Sequence, residues 1–164
     1  MTQYDLKEDK LNWVDFYMGL AFAISQKSPD AQTKHGCFIC DKEHRPLGFG
    51  YNGFPRGAND ESLPNIRPDK YPWMFHSEEN AVANCLLRPK DGIAFVTGQC
   101  CSHCLYTMWQ HGITTVYMAV RHGTHLITGK DLEWQKEFIE QTGMVVHYVI
   151  PYIGWLKKTS SILD

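Results

Sequence analysis

Two short stretches, His76-Ser77-Glu78 and Cys101-Ser102-His103-Cys104, set the strictest condition on how this chain folds. Imidazole nitrogen and thiolate sulfur suit a metal of borderline softness, and a catalytic zinc site takes three such ligands while leaving a fourth position open. His76, Cys101 and Cys104 meet that count, with one zinc per chain. A fold that uses them must bring two separated segments to one point. Glu78, two residues beyond the histidine, is a carboxylate that a purely structural zinc site does not need. It reads as a proton carrier for a metal-bound water.

Size and charge narrow the setting. A length of 164 residues suits one domain, taken as residues 1–164. The net charge of −2, with no stretch that concentrates Lys and Arg, argues against a polymeric nucleic acid as substrate but not against a single nucleotide. The longest apolar run, around residues 18–24, is far short of the roughly 20 residues that a membrane span requires, so no membrane partner is expected. The opening MTQYDLKEDK lacks the basic-then-apolar pattern of a signal peptide, and the reading is cytoplasmic. In such a compartment the six cysteines are reduced thiols rather than a disulfide framework.

Leu11, Val14, Met18 and Ala21 recur at three- and four-residue steps and predict an amphipathic helix from residue 8 to about 27, stopped by Pro29. GCFICDK and PLGFGYN predict a hairpin. Cys37 and Cys40, three apart on a strand, point to opposite faces and read as core. From Gly53 to Trp73, four prolines exclude a continuous helix or central strand, and a loop that long is usually functional. Helices then open near His76, ending before Pro89, and at Cys101, ending at Gly112, so that His76, Glu78, Cys101 and Cys104 all lie in first turns. There the helix dipole and free N–H groups favour thiolate. IAFVTG, ITTVYMAV and MVVHYVI read as strands, and a helix runs from Lys130-Asp131 to Gly143. The tail IGWLKKTSSILD has no clear pattern. The expected class is α/β, a mixed sheet covered on both faces.

GYNGFPRGANDESLP, KYPWMFHSEENAV and the Cys-x-x-Cys helix together resemble the deoxycytidylate (dCMP) deaminases of the cytidine deaminase superfamily, whose metal motif is His-x-Glu followed by Pro-Cys-x-x-Cys. The resemblance covers most of the chain. It implies a three-layer α/β/α sandwich around a five-stranded mixed sheet and hydrolysis of dCMP to dUMP and ammonia, which supplies dUMP for thymidylate synthesis. It assigns the zinc ligands to His76, Cys101 and Cys104 and catalysis to Glu78. Asn52 and Ser77 become substrate-binding positions. Gly50, Tyr51, Gly53 and Arg56 become an effector site for dCTP, with Mg2+ accompanying it and dTTP as the second effector. A homohexamer is implied as well.

Three departures from the family pattern stand out: Cys100 in place of proline, Ser77 in place of alanine, and AVRHGTH where relatives carry an acidic residue and a tyrosine facing the nucleotide. Arg121, His122 and His125 are therefore candidates for a rebuilt phosphate pocket. The alternatives are a deaminase of another cytosine nucleotide or nucleoside, an editing deaminase of tRNA, and a non-catalytic zinc-stabilised module, closed in one version by Cys100 as a fourth ligand. Glu78 separates enzyme from module, and a basic surface would mark the tRNA enzyme.

Overall fold

A computed structural model of the chain describes residues 10–121, 127–160 and 162. Helix α1 spans Trp13–Ser25 and begins at Asn12, whose side-chain oxygen accepts from the Asp15 N–H at 2.9 Å. That cap starts the helix later than residue 8, and it ends two residues before 27. The hairpin follows as β1 (Gly36–Cys40) and β2 (Pro46–Tyr51). Next come α2 (Ser77–Ala83), β3 (Gly92–Val96), α3 (Ser102–His111), β4 (Ile113–Ala119), α4 (Gly129–Thr142) and β5 (Val145–Val149). The patternless tail forms α5, Trp155–Ser160. Its Trp155 indole covers Gly19, where a Cβ would fall 2.1 Å from the ring, and donates to the Asp15 carbonyl at 3.2 Å.

The sheet order is β2-β1-β3-β4-β5; β1 runs antiparallel to both neighbours, and β3, β4 and β5 are parallel. Alternation along the strands divides the core in two. Cys37, Ile39, Ala94, Val96 and Met118 face α2 and α3, with Phe138 of α4 packed behind. Phe38, Cys40 and Phe95 face Tyr17, Met18 and Ala21 of α1. Cys37 and Cys40 thus sit buried on opposite faces, as the odd offset requires, and the expected α/β sandwich is present.

Two features carry this fold to the site. Gly50 lets α2 lie directly on β2: a Cβ there would come within 2.3 Å of the Ala81 nitrogen. The long loop closes on itself where Gly53 and Phe75 exchange backbone hydrogen bonds at 3.1 and 2.8 Å, delivering the chain to His76. Helix α2 ends at Ala83, earlier than the proline rule alone suggests. His76 and Cys101 are N-caps rather than first-turn residues, both with extended backbone (ψ 155° and 163°). Only Glu78 and Cys104 lie within the first turns. The four residues still meet, because an N-cap side chain projects beside the turn it precedes.

Candidate active site

The two helix starts converge beyond the carboxyl end of β3, and three donor atoms lie within 4.8 Å of one another: one each from His76, Cys101 and Cys104. His76 Nδ1 is 3.3 Å from Cys104 Sγ and 3.6 Å from Cys101 Sγ. Tetrahedral zinc with ordinary bond lengths separates nitrogen from sulfur by about 3.6 Å, so the donors fit that metal. The protonation pattern agrees. A hydrogen bond from Cys104 draws the Cys101 thiol down to about 4, while the same bond and burial push Cys104 up. The hydrogen bond with Cys101 raises His76 to about 9. One thiolate and a proton-rich imidazole thus face a common point, where a divalent cation displaces protons.

Cys100 is not in the donor cluster. It is fully buried, and burial followed by the adjacent Glu78 carboxylate holds its thiol well above the ordinary range. His103, on the same turn, is exposed and lies 3.8 Å from Glu79. Glu79 itself accepts from the His76 backbone N–H at 2.9 Å and braces the start of α2. Glu78, only 5% exposed, lies on the inward side of that turn. Ser77, expected to face substrate, is fully buried, and its hydroxyl donates to Glu78 Oε2 at 2.8 Å.

His76, Ser77, Glu78 and Cys101 form one side of a cavity of about 440 Å³. Asn52, Asp30, Lys70 and Arg67 form the other. Lys70 Nζ reaches both Asp30 carboxylate oxygens at 2.7 Å, with each side chain 3% exposed. Burial alone would raise the Asp30 carboxyl; the Lys70 ammonium and the N–H groups of Thr33 and Gln32 outweigh it and hold it below the usual carboxylate range. The Asn52 amide donates to Asp30 Oδ2 (3.2 Å) and the Thr33 carbonyl (2.9 Å), and its oxygen accepts from the His35 N–H (2.7 Å). One acceptor position on Asn52 Oδ1 remains for a ligand.

Sequence reasoning missed four acidic or basic residues that line this cavity. His35 hydrogen-bonds Thr97 at 3.3 Å, and burial lowers its pKa. Asp30 and Lys70 form the buried pair. Arg67 donates through Nη2 to the Thr33 hydroxyl at 2.9 Å. The one local signal was Asp30 after Pro29, a turn former whose carboxylate accepts from residues two and three further on. Arg121 donates to the Lys34 carbonyl at 3.2 Å and lies over the Phe22 ring, whereas His122 and His125 lie outside the described residues.

The predicted effector residues divide. Tyr51, Gly53 and Arg56 line a second depression of about 280 Å³ with Asn80 and Asn84. Arg56 Nη2 donates to Asn84 Oδ1 at 2.9 Å. Gly50 is absent from that lining and lies beneath α2.

Residues 11–120 match the family described as the cytidine and deoxycytidylate deaminase zinc-binding region. The chain belongs to this family. Human deoxycytidylate deaminase is 33% identical over 117 residues, covering 67% of this chain and 66% of the human protein, just under two thirds of its length. A probable deoxycytidylate deaminase of Caenorhabditis elegans is 32% identical over 122 residues, covering 71% of this chain and 59% of the relative. Among solved structures, dCMP deaminase from the cyanophage S-TIM5 in complex with dCMP and dUMP superposes with a TM-score of 0.62 at 22% identity, covering 91% of this chain and 100% of the other. That likeness shows the shared fold.

Proposed function

We propose that this protein is a single-domain dCMP deaminase that converts dCMP and water into dUMP and ammonia, supplying dUMP for thymidylate synthesis. The observation that carries the reading is Glu78, a buried carboxylate beside a three-donor metal site with a nucleotide-sized cavity in front of it. Relatives named deoxycytidylate deaminase, and the cyanophage enzyme crystallised with dCMP and dUMP, support the choice of substrate.

Zinc bound by His76, Cys101 and Cys104 supplies Lewis acidity that makes water nucleophilic at neutral pH. As water adds to C4 of the cytosine ring, Glu78 takes one of its protons and delivers it to N3. Glu78 then carries the second proton to the amino group, and the C4–N bond breaks to release ammonia and leave the C4 carbonyl of uracil. The Ser77 hydroxyl holds one carboxylate oxygen throughout, leaving the other for proton transfer. Asn52 Oδ1 accepts from a sugar hydroxyl, and Arg67 meets the 5′-phosphate through its remaining N–H groups.

Regulation by dCTP, with Mg2+, and by dTTP is supported by the depression at Tyr51, Gly53 and Arg56. Its Asn80 sits on α2, the helix that carries Glu78, and its Asn84 caps the end of that helix, so occupancy there would bear on the catalytic turn. Assembly as a homohexamer in the cytoplasm completes the reading. Six unpaired thiols suit the reducing compartment that this location supplies.

Ammonia release from dCMP, dCTP, deoxycytidine and a 5-substituted dCMP, with zinc content measured on the same sample, tests the reading. Preference for dCMP with equimolar dUMP is expected. Zinc-loaded protein inactive on all four would instead mark a non-catalytic module. Velocity against dCMP should be sigmoidal alone and nearly hyperbolic with dCTP. A hyperbolic curve indifferent to dCTP and dTTP overturns the effector site while leaving the deaminase intact.

A further inference from the structure

The two cysteine ligands are held by different means. Cys104 sits inside α3 and is fully buried in the core, so the helix fixes it. Cys101 is the N-cap, at the end of the turn that leaves β3, with no side-chain cap bond of its own. Its carbonyl accepts the first bond of the helix, from the Leu105 N–H at 3.2 Å, but its N–H and the residues before it lie outside the helical ladder. Before it, the Cys100 N–H meets only the Met118 thioether at 3.5 Å, a weak acceptor.

A run of contacts from the segment after β4 makes up the difference. The Gln99 side-chain oxygen accepts from the Ile127 N–H at 2.7 Å. The Cys100 carbonyl accepts from the Gln135 amide at 2.9 Å. The Ser102 hydroxyl bonds to the Asp131 backbone carbonyl at 3.1 Å and to its carboxylate. Gln135 is 2% exposed and also donates to Asp131 Oδ2 at 3.4 Å. Asp131 and Gln135 are four apart on α4 and present one face to the turn. A buried amide is retained where it satisfies a partner, because either group left alone would be costly.

We propose that Gln135 and Asp131 are positioning residues for the metal centre: they clamp residues 100 and 102 from outside and thereby hold Cys101 Sγ in register with His76 and Cys104. The clamp rests on the zinc reading of those three ligands. It lies beyond residue 120, where the match to the zinc-binding family ends. Groups that orient metal ligands at one remove typically change metal affinity about 10- to 100-fold when removed.

The test uses the full-length zinc-loaded protein and the variants Gln135→Leu, Asp131→Ala, Asp131→Asn and, as a control on the same helix, Lys136→Ala. Zinc release to an excess of chelator and the thiolate-to-cobalt absorption of the cobalt(II) form are recorded with the melting temperature. Gln135→Leu and Asp131→Ala should release zinc about tenfold faster or more and alter the cobalt band. Asp131→Asn, which can still accept from Ser102, and Lys136→Ala should stay near the parent. The clamp is overturned if folded Gln135→Leu and Asp131→Ala release zinc within about twofold of the parent, well under the effect of such groups. It is equally overturned if Lys136→Ala accelerates release as much. Should Gln135→Leu not fold, the Asp131 pair decides alone: Ala fast with Asn slow supports the clamp, and equal rates remove it. A parent that binds no zinc overturns the metal reading itself, whereas a zinc-bound parent with indifferent variants overturns only the clamp.

Discussion

The two walls of the candidate active-site cavity are built on opposite plans. On one, His76, Glu78 and Cys101, with the buried Cys104 next to them, come from two helix starts set at the end of a buried strand. On the other, Asp30, Asn52, Arg67 and Lys70 come from the α1–β1 turn, the end of β2 and the long loop. There a buried ion pair and a chain of hydrogen bonds replace regular structure. Proton transfer and metal binding tolerate little displacement and belong on rigid elements; recognition of sugar and phosphate can be delegated to loops that a scaffold positions.

The helix wall breaks most completely at one atom pair. Glu78→Gln keeps the shape and removes the proton carrier. Positioned acid–base catalysis contributes about 10²- to 10⁴-fold per transfer, and the proposed reaction assigns Glu78 two. Turnover of dCMP should fall by at least the lower of these factors, with zinc content and melting temperature unchanged. Ammonia release measured beside zinc on one sample checks this; a variant that keeps a tenth of parental turnover, well above the roughly 10²-fold floor, removes Glu78 from the role.

The loop wall breaks through its ion pair. Lys70→Met leaves Asp30 buried without a cation, and removing one partner of such a pair typically costs about 3–5 kcal/mol. Denaturant unfolding at neutral pH should show that loss. Its pH dependence has a definite sign. Because the folded protein holds Asp30 below its usual range, the parent's stabilisation is complete above the unfolded value near 4. It is lost as pH falls through the lowered folded value. The gap between parent and Lys70→Met should therefore narrow in acid. A constant gap would mean that Lys70 acts by packing alone.

The contrast between the walls also explains what could be read in advance. Ligands at fixed spacing next to helix starts are local patterns, so His76, Glu78, Cys101 and Cys104 were legible, as were Cys37 and Cys40 through strand alternation. Asp30 and Lys70 are 40 residues apart and meet only through the path of an irregular loop, which no periodicity encodes. Likewise Gln135 looks like a surface amide on an amphipathic helix until the turn at Cys100 is seen against it. The tail escaped for another reason: α5 docks through the Trp155 indole on Gly19, a contact made possible by the missing side chain rather than by a pattern within the tail.

Arg67 sharpens the comparison, because it should affect binding and not chemistry. Hydrogen bonds to charged groups contribute about 1.5–3 kcal/mol, roughly 10- to 150-fold in an equilibrium constant. Arg67→Ala should raise KM for dCMP by that order with little change in kcat, and should leave deoxycytidine, which lacks the phosphate, unaffected. An equal loss on both substrates would place Arg67 in loop structure through its bond to Thr33 instead.

The smallest effect is expected where the chain departs from the family's metal motif. Proline at residue 100 would remove one N–H, and that N–H contacts only Met118 sulfur at 3.5 Å. The carbonyl of residue 100, which Gln135 holds, is retained by proline, so the clamp on the turn survives the change. Nothing in the ligand set is lost either, since Cys100 stands outside the donor cluster. The thiol does lie beside Glu78, and removing it takes a neutral neighbour from the carboxylate. Cys100→Pro should therefore keep stoichiometric zinc and change stability by less than about 1 kcal/mol, in the range of a weak hydrogen bond exchanged for a stiffer backbone. Any effect should appear in kcat for dCMP, through the Glu78 environment, while zinc release stays parental. The opposite result, zinc lost while turnover per bound zinc is intact, would mean that Cys100 supports the metal after all, and that the helix wall is held by one more residue than the donor geometry indicates.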